Sequence, residues 1–252
     1  MNAYPEKQQY TADDLVAIIA ILRDPDCGCP WDNVQTHTSI RMNFLEEAYE
    51  AVDAIDLNDP ELLCEELGDV MMQVVFHAQI EREAGHFTFD EVCDGVCRKL
   101  LDRHPHIFRG DESIKDWDSL KNKEKGRLTL ADDLESVPKA LPALMRAAKL
   151  QKRAARGGVT VTTDPAELET LARRVEAGDN AEAALGELLF KTAALARLAG
   201  LDPEQALHSA CEKFIKRFTA MEQSILASGR TLEELSREEL LASWDAQKRN
   251  GR

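Results

Sequence analysis

Nowhere in this chain do apolar and polar residues alternate with period two for more than a few positions, so a half-buried sheet is not its organising element. The one β-branched run, Val159-Thr-Val-Thr-Thr163, is too short to found one. Also missing is any apolar run approaching the ~18 residues of a membrane span, and Leu15–Leu22 falls well short of it. The N-terminus is polar and carries no signal-peptide pattern, so a cytoplasmic location with no membrane partner is expected. Positive charge is scarce: 31 Lys and Arg stand against 46 Asp and Glu, a net charge of −15. A nucleic-acid partner normally shows as a basic face, so none is expected. Six cysteines are scattered, and neither Cys27-Gly-Cys29 nor the Cys93/Cys97 pair is completed by a second C-x-x-C or a flanking His pair. Zinc is therefore not indicated, and free, mostly buried thiols are expected.

What remains is helical. The chain is 252 residues long and 44% apolar, enough for one large domain or two of common size. Thr11 is placed to cap a helix carrying Leu15, Ile18, Ile19 and Leu22, which ends by Asp24-Pro25. A loop through Trp31 follows, in which that tryptophan is either a core plug or a stacking surface. A helix opened by Asp90 places Val92, Val96 and Leu100 inward and Lys99 and Arg103 at i, i+4. Residues 128–142 read as a linker. Helices are expected near 143–156, 165–176, 181–198 and 203–226, with a last one near 233–248. The fold class is all-α.

The chemistry concentrates in Phe44-Leu-Glu-Glu-Ala-Tyr-Glu50 and Cys64-Glu-Glu-Leu-Gly-Asp69. Asn58-Asp59-Pro60 between them is a turn signal, with Pro60 suited to a first helical turn. If the chain reverses at Asn58, Glu50 falls beside Glu66 and Glu47 beside Asp69. Each pair within one helix is spaced i, i+3 and shares a face. Like charges brought together this way destabilise a fold unless a cation intervenes, and an all-oxygen donor set suits Mg²⁺ or Mn²⁺. The bland alternative is a solvated acidic face. Against it, the acids are expected beside or within a buried stripe formed by Leu45, Ala48, Val52, Ile55, Leu67, Val70, Met71, Val74 and Val75.

The second half repeats the first. Residues 66–76 align with 184–194, Cys97, Lys99 and Arg103 with Cys211, Lys213 and Arg217, and Trp117-Asp118-x-x-Lys121 with Trp244-Asp245-x-x-Lys248. Two domains are expected, 1–128 and 129–252. In the second copy Ala184 and Glu187 replace Glu66 and Asp69, and Arg173 and Arg174 stand where ligands are needed. That copy is expected to be structural or regulatory, with weak nucleotide binding through Lys213, Arg217 and Trp244 still open to it.

Glu46-Glu47-x-x-Glu50 followed by Glu66-x-x-Asp69 resembles the signature of the MazG nucleotide pyrophosphohydrolases. Cys29-Pro30-Trp31-Asp32-x-x-Gln35-Thr36, Arg103-His104-Pro105-His106-Ile107-Phe108 and Leu141-Pro142-Ala143-Leu144-Met145 resemble further motifs of the family, whose two-domain bacterial members match best. The resemblance implies tandem all-α domains around four-helix cores, a homodimer, and Mg²⁺-dependent cleavage of nucleoside triphosphates to monophosphate and pyrophosphate. It implies Glu47, Glu50, Glu66 and Asp69 as metal ligands and Glu46 or Glu50 as catalytic carboxylates. Lys99 and Arg103 would hold phosphates, and Trp117 would lie near the nucleotide, with Trp31 a second substrate-binding candidate. Solvated helix charge for Lys99/Arg103 and plain packing for Trp117 and Trp244 stay open. A di-iron bundle requires a Glu-x-x-His pair on each of two facing helices, a condition not met. The rival from another class is a non-catalytic nucleotide-sensing or regulatory protein of the same fold.

Overall fold

The computed structural model describes residues 4–110 and 129–250. Among the described residues every regular element is a helix, and no helix is long and apolar enough to cross a membrane. The chain divides into two compact units, Met1–Lys115 and Asp116–Arg252. That division, like residue 128 where it was expected, falls within 111–128, outside the described residues.

The first unit contains α1 (Ala12–Leu22), α2 (Arg41–Leu57), α3 (Pro60–Glu83), α4 (Phe89–Arg103) and the single turn α5 (Pro105–Phe108). Local chemistry starts and stops them. Thr11 and Asp14 form a capping box on α1, as do Thr88 and Glu91 on α4. Asn58 ends α2 in the left-handed region (φ 54°, ψ 40°), which asparagine tolerates. One residue later Asp59 caps α3, accepting from the backbone N–H groups of Glu61 and Leu62, with Pro60 in the first turn. The chain therefore reverses at Asn58, and α2 and α3 pack as an antiparallel hairpin. α3, at 24 residues, is the axis of the unit, with α1, α2 and α4 packed on it. Ile19, Ile40, Val75 and Phe76 form the buried core, ringed by Leu15, Leu22, Met72 and Ile80.

The loop between α1 and α2 is pinned rather than slack. Arg23, 6% exposed, gives its Nε and Nη2 to the Glu83 carboxylate at 3.0 and 2.8 Å. Its Nη1 donates to the carbonyls of Asp32 (2.7 Å) and Gln35 (3.1 Å), and the guanidinium lies 5.0 Å from the Phe76 ring centre. At Gly28 a Cβ would run into the carbonyl oxygens of Leu22 and Asp24, so this turn needs glycine.

The second unit contains α6 (Leu130–Glu135), α7 (Ala143–Arg156), α8 (Pro165–Glu176), α9 (Ala181–Leu198), α10 (Pro203–Ala227), a 3₁₀ turn (Leu232–Glu234) and α11 (Arg237–Asn250). α9 is its axis, contacted by α7, α8 and α10, as α3 is contacted in the first unit. The aligned segments 66–76 and 184–194 lie on these two axial helices, and Lys99/Arg103 and Lys213/Arg217 on α4 and α10, which follow them.

The expected burial of the thiols is not found: Cys27, Cys64, Cys97 and Cys211 are exposed and Cys29 and Cys93 half-buried. Two other expectations need correction. Part of the supposed linker is a packed element: α6 docks on α7, Val137 is buried, and buried Asp133 pairs with Arg153 at 3.1 Å. Thr129 and Asp132 cap a short helix within the stretch read as a linker. Second, Val92, Val96 and Leu100 do not face inward. All three are exposed, as are Val52, Ile55, Leu67 and Met71 of the expected buried stripe. Helical spacing reveals an apolar face but not what covers it, and a single first unit leaves this face open.

Candidate functional site

The α2–α3 hairpin delivers the convergence that its turn implies. Oxygens of Glu47, Glu66 and Asp69 lie within 4.8 Å of one another, each from a half-buried side chain. Among the described residues this is the one such group of metal-capable side chains. Glu47 rides on the second turn of α2, and Glu66 and Asp69 are one turn apart on α3. Glu50 is exposed and outside this tight triad, yet its charge acts on both Glu47 and Glu66. It thus stands at the edge of the cluster, beside Glu66 as the reversal at Asn58 requires. Glu46 is exposed on the adjoining face of α2.

The electrostatics are those of carboxylates crowded without a counter-charge. Burial, and then the charge of Asp69, push the Glu47 carboxyl above its ordinary value; Glu50 adds to this and a hydrogen bond from Gln73 opposes it. Burial likewise raises Glu66, followed by repulsion from Glu50, Glu65 and Asp69. A divalent cation among these carboxylates would add an attraction to each that outweighs their mutual repulsion. The donor atoms are all carboxylate oxygens, with no thiolate or imidazole among them, so the set fits a hard ion such as Mg²⁺ or Mn²⁺ rather than zinc. Gln73, one turn beyond Asp69 on α3, donates to Glu47 Oε1 across the hairpin at 3.4 Å. Sequence reasoning passed over it, although its i+4 spacing from Asp69 marks the same face.

The other named residues are distributed as follows. Lys99 is exposed and Arg103 half-buried on α4, the helix packed against α3. Trp31 is 59% exposed, so the first unit displays it and does not bury it as a core plug. Its carbonyl accepts from Gln35 Nε2 at 2.8 Å. Trp117 lies outside the described residues. Its counterpart Trp244 packs on Phe214 of α10, ring centres 5.1 Å apart.

In the second unit the equivalent hairpin, α8 and α9, has internalised its charge balance. Ala184, at the place of Glu66, is 1% exposed and packed in the core. Lys191, aligned with Gln73, holds Glu167 of α8 at 2.7 Å. An ammonium group supplies between these helices the positive charge that the first unit's hairpin lacks. Arg173 and Arg174, noted in the sequence, are instead paired with Glu169 and Asp179 at the helix surface.

Residues 35–108 match the family model described as the MazG nucleotide pyrophosphohydrolase domain. A Thermotoga maritima protein named nucleoside triphosphate pyrophosphohydrolase/pyrophosphatase MazG is 41% identical over 246 residues, covering 94% of this chain and 95% of that protein. The nucleoside triphosphate pyrophosphohydrolase of Escherichia coli strain K12 is 38% identical over 254 residues, covering 94% of this chain and 97% of its own length. A protein of the same name from Mycobacterium tuberculosis is 30% identical over 233 residues, with 90% and 63% covered.

Proposed function

The chain belongs to the MazG nucleotide pyrophosphohydrolase family, and from that premise we propose that its first unit hydrolyses nucleoside triphosphates to the monophosphate and pyrophosphate, with Mg²⁺ held by Glu47, Glu50, Glu66 and Asp69. The observation that carries this reading is the three-carboxylate convergence across the α2–α3 hairpin. A divalent ion bound there would supply neutralisation of phosphate oxygens and would lower the pKa of a bound water. Glu47, Glu66 and Asp69 serve as its fixed ligands, with Gln73 holding the Glu47 carboxylate in place. Glu46, or Glu50 when it is not on the metal, both exposed at the margin, would take a proton from the water that attacks the α phosphorus. Lys99 and Arg103 on α4 neutralise the departing pyrophosphate. Trp31, displayed on its pinned loop, offers a face for base stacking, which favours no particular base.

The second unit takes a structural or regulatory role. With its Lys191–Glu167 pair and buried Ala184, this unit shows no carboxylate cluster to hold a metal among the described residues. A homodimer accounts for the exposed Val52, Ile55, Leu67, Met71, Val92, Val96 and Leu100, since a second copy would remove this apolar surface from water. A cytoplasmic location accords with the free cysteines and with triphosphates as substrates.

The test is a panel of nucleoside triphosphates with Mg²⁺ and identification of the products. Monophosphate and pyrophosphate are expected, lost in Glu66→Ala and kept in Glu187→Ala. Diphosphate and phosphate would refute attack at the α phosphorus. Tight nucleotide binding without turnover would instead favour a sensing role.

A further inference from the structure

A second cluster of titratable side chains lies about two helical turns from the acids and takes no part in the chemistry above. His37, in the loop before α2, lies edge to edge with His77 of α3, ring centres 5.0 Å apart and planes 10° from parallel. Their Nδ1 atoms are 2.7 Å apart. His37 Nε2 lies 2.6 Å from Glu81 Oε1, and the other Glu81 oxygen is 2.6 Å from His86 Nδ1. The Phe44 ring of α2 closes the remaining side of His77, centres 5.8 Å apart.

The proton positions follow from the partners. Hydrogen bonds from His86 and then His37 hold the Glu81 carboxyl below its ordinary value, so it is ionised and accepts only. His37 therefore carries a proton on Nε2. At 2.7 Å only one proton fits between the two Nδ1 atoms. In the neutral pair His77 donates it and His37 accepts, so the two rings are held in opposite tautomers. Burial, and then the neighbouring His37, lower the pKa of His77 and favour this state. One added proton is accommodated by a tautomer switch on His77. A second places two N–H groups face to face and opens the contact. The titratable groups in reach are Glu81 of α3 and, through it, His86; α2 offers only the neutral Phe44 ring, and Arg23 of the α1 end is committed to Glu83.

The pair matters because the local bonds that start this region, Thr36 N–H to Ser39 Oγ (2.9 Å) and Ser39 N–H to Thr36 Oγ1 (3.3 Å), lie in the turn before α2 and do not reach α3. The N-cap residue of α2 is Ile40, no side chain caps the helix, and its first turn carries no acid. Ile40 is instead buried in the core, and His37, three residues earlier, is fastened to α3. Seven residues on, α2 presents Glu47, while on α3 Asp69 precedes His77 by eight. The hairpin is closed at one end by the Asn58 turn and at the other by the histidines, with the acids between. Resting on the metal-site reading above, we propose that His37 is a positioning residue for that site: with His77 and Glu81 it forms a one-proton clasp that fixes where α2 begins on α3 and so the spacing of Glu47 against Glu66 and Asp69.

The test compares Mn²⁺ binding, by calorimetry, in the full-length protein and in His37→Phe, which keeps an aromatic ring at the position and removes both ring nitrogens. Affinity is expected to fall about tenfold, the low end of the loss when a residue that orients metal ligands is removed, and Glu81→Gln should move it the same way. In the wild type, affinity should show a step down on the acid side of the ordinary histidine range, because burial lowers His77, absent from His37→Phe while the lower carboxylate step persists in both. Ring ¹⁵N shifts of the metal-free wild type should report Nε2–H on His37 and Nδ1–H on His77. Unchanged affinity and pH profile in His37→Phe, or both rings in one tautomer, would overturn the clasp. A wild type that binds no Mn²⁺ would refute the metal site itself and the positioning role with it, a result distinct from the first.

Discussion

Replacing Asp69 with Asn should invert the order of stability between the metal-free and metal-loaded protein. In the absence of metal, Glu47 and Asp69 repel across at most 4.8 Å. At an effective dielectric constant near 20, two unit charges at that distance cost about 3.5 kcal/mol. Both side chains are only half-buried, so water reduces this to about 1 kcal/mol. Asp69→Asn keeps the shape and removes the charge, and repulsion on Glu66 falls with it. In EDTA the variant should therefore unfold some 2–4 °C above the wild type. With Mg²⁺ at about a hundred times its dissociation constant, the wild type gains about 2.7 kcal/mol by linkage. The variant, short of one ligand, gains little, and the order reverses. Thermal unfolding followed by circular dichroism, in EDTA and across a Mg²⁺ series, measures both halves. A variant less stable than wild type in EDTA would show that Asp69 contributes a favourable contact in place of repulsion. Equal gains from Mg²⁺ in both proteins would remove Asp69 from the ligand set.

Two further outcomes are expected. Arg23→Met removes a buried cation from Glu83, from two loop carbonyls and from Phe76. Because Glu83 is partly exposed and can rehydrate, the loss should be near the low end for a broken buried pair, about 3 kcal/mol in urea unfolding; a change under about 1 kcal/mol would mean the loop is held by other contacts. Glu239 is hydrogen-bonded by Arg230 and by Ser236, which depress its pKa from 4.5 to about 2. A depressed carboxyl stabilises the fold fully above its unfolded value, so its contribution is present above pH 4.5 and is lost as pH falls through about 2. Acid unfolding of Glu239→Gln should lack that dependence, and an identical acid profile in the variant would contradict it.

Helix boundaries were largely legible because they are written in local chemistry. Asp59-Pro60, Asp164-Pro165 and Asp202-Pro203 each begin a helix with the aspartate as cap. Gly85, at φ 76°, follows the end of α3 as expected of a glycine after a helix. The reversal at Asn58 then made the pairing of Glu47 with Asp69 and of Glu50 with Glu66 a matter of counting residues. Short-range rules failed where the decisive partner is distant in the chain. Nothing near α6 announces that Asp133 is buried, since its partner Arg153 belongs to α7. Nothing near His37 announces His77, forty residues away.

By itself, then, the sequence determined an all-α chain in two similar halves, the carboxylates able to converge, and the half that keeps them. Periodicity, caps and one tight turn act over a few residues and survive without any packing. Tertiary structure decided the rest. It drew Glu47, Glu66 and Asp69 into one group and left Glu50 at the margin. It turned the Val92, Val96 and Leu100 stripe outward, filled the second hairpin with a Lys191–Glu167 pair, and set two histidines nitrogen to nitrogen. Each of these depends on which helix face meets which neighbour, a choice made by burial summed over the whole unit and therefore not written in any local stretch of the chain.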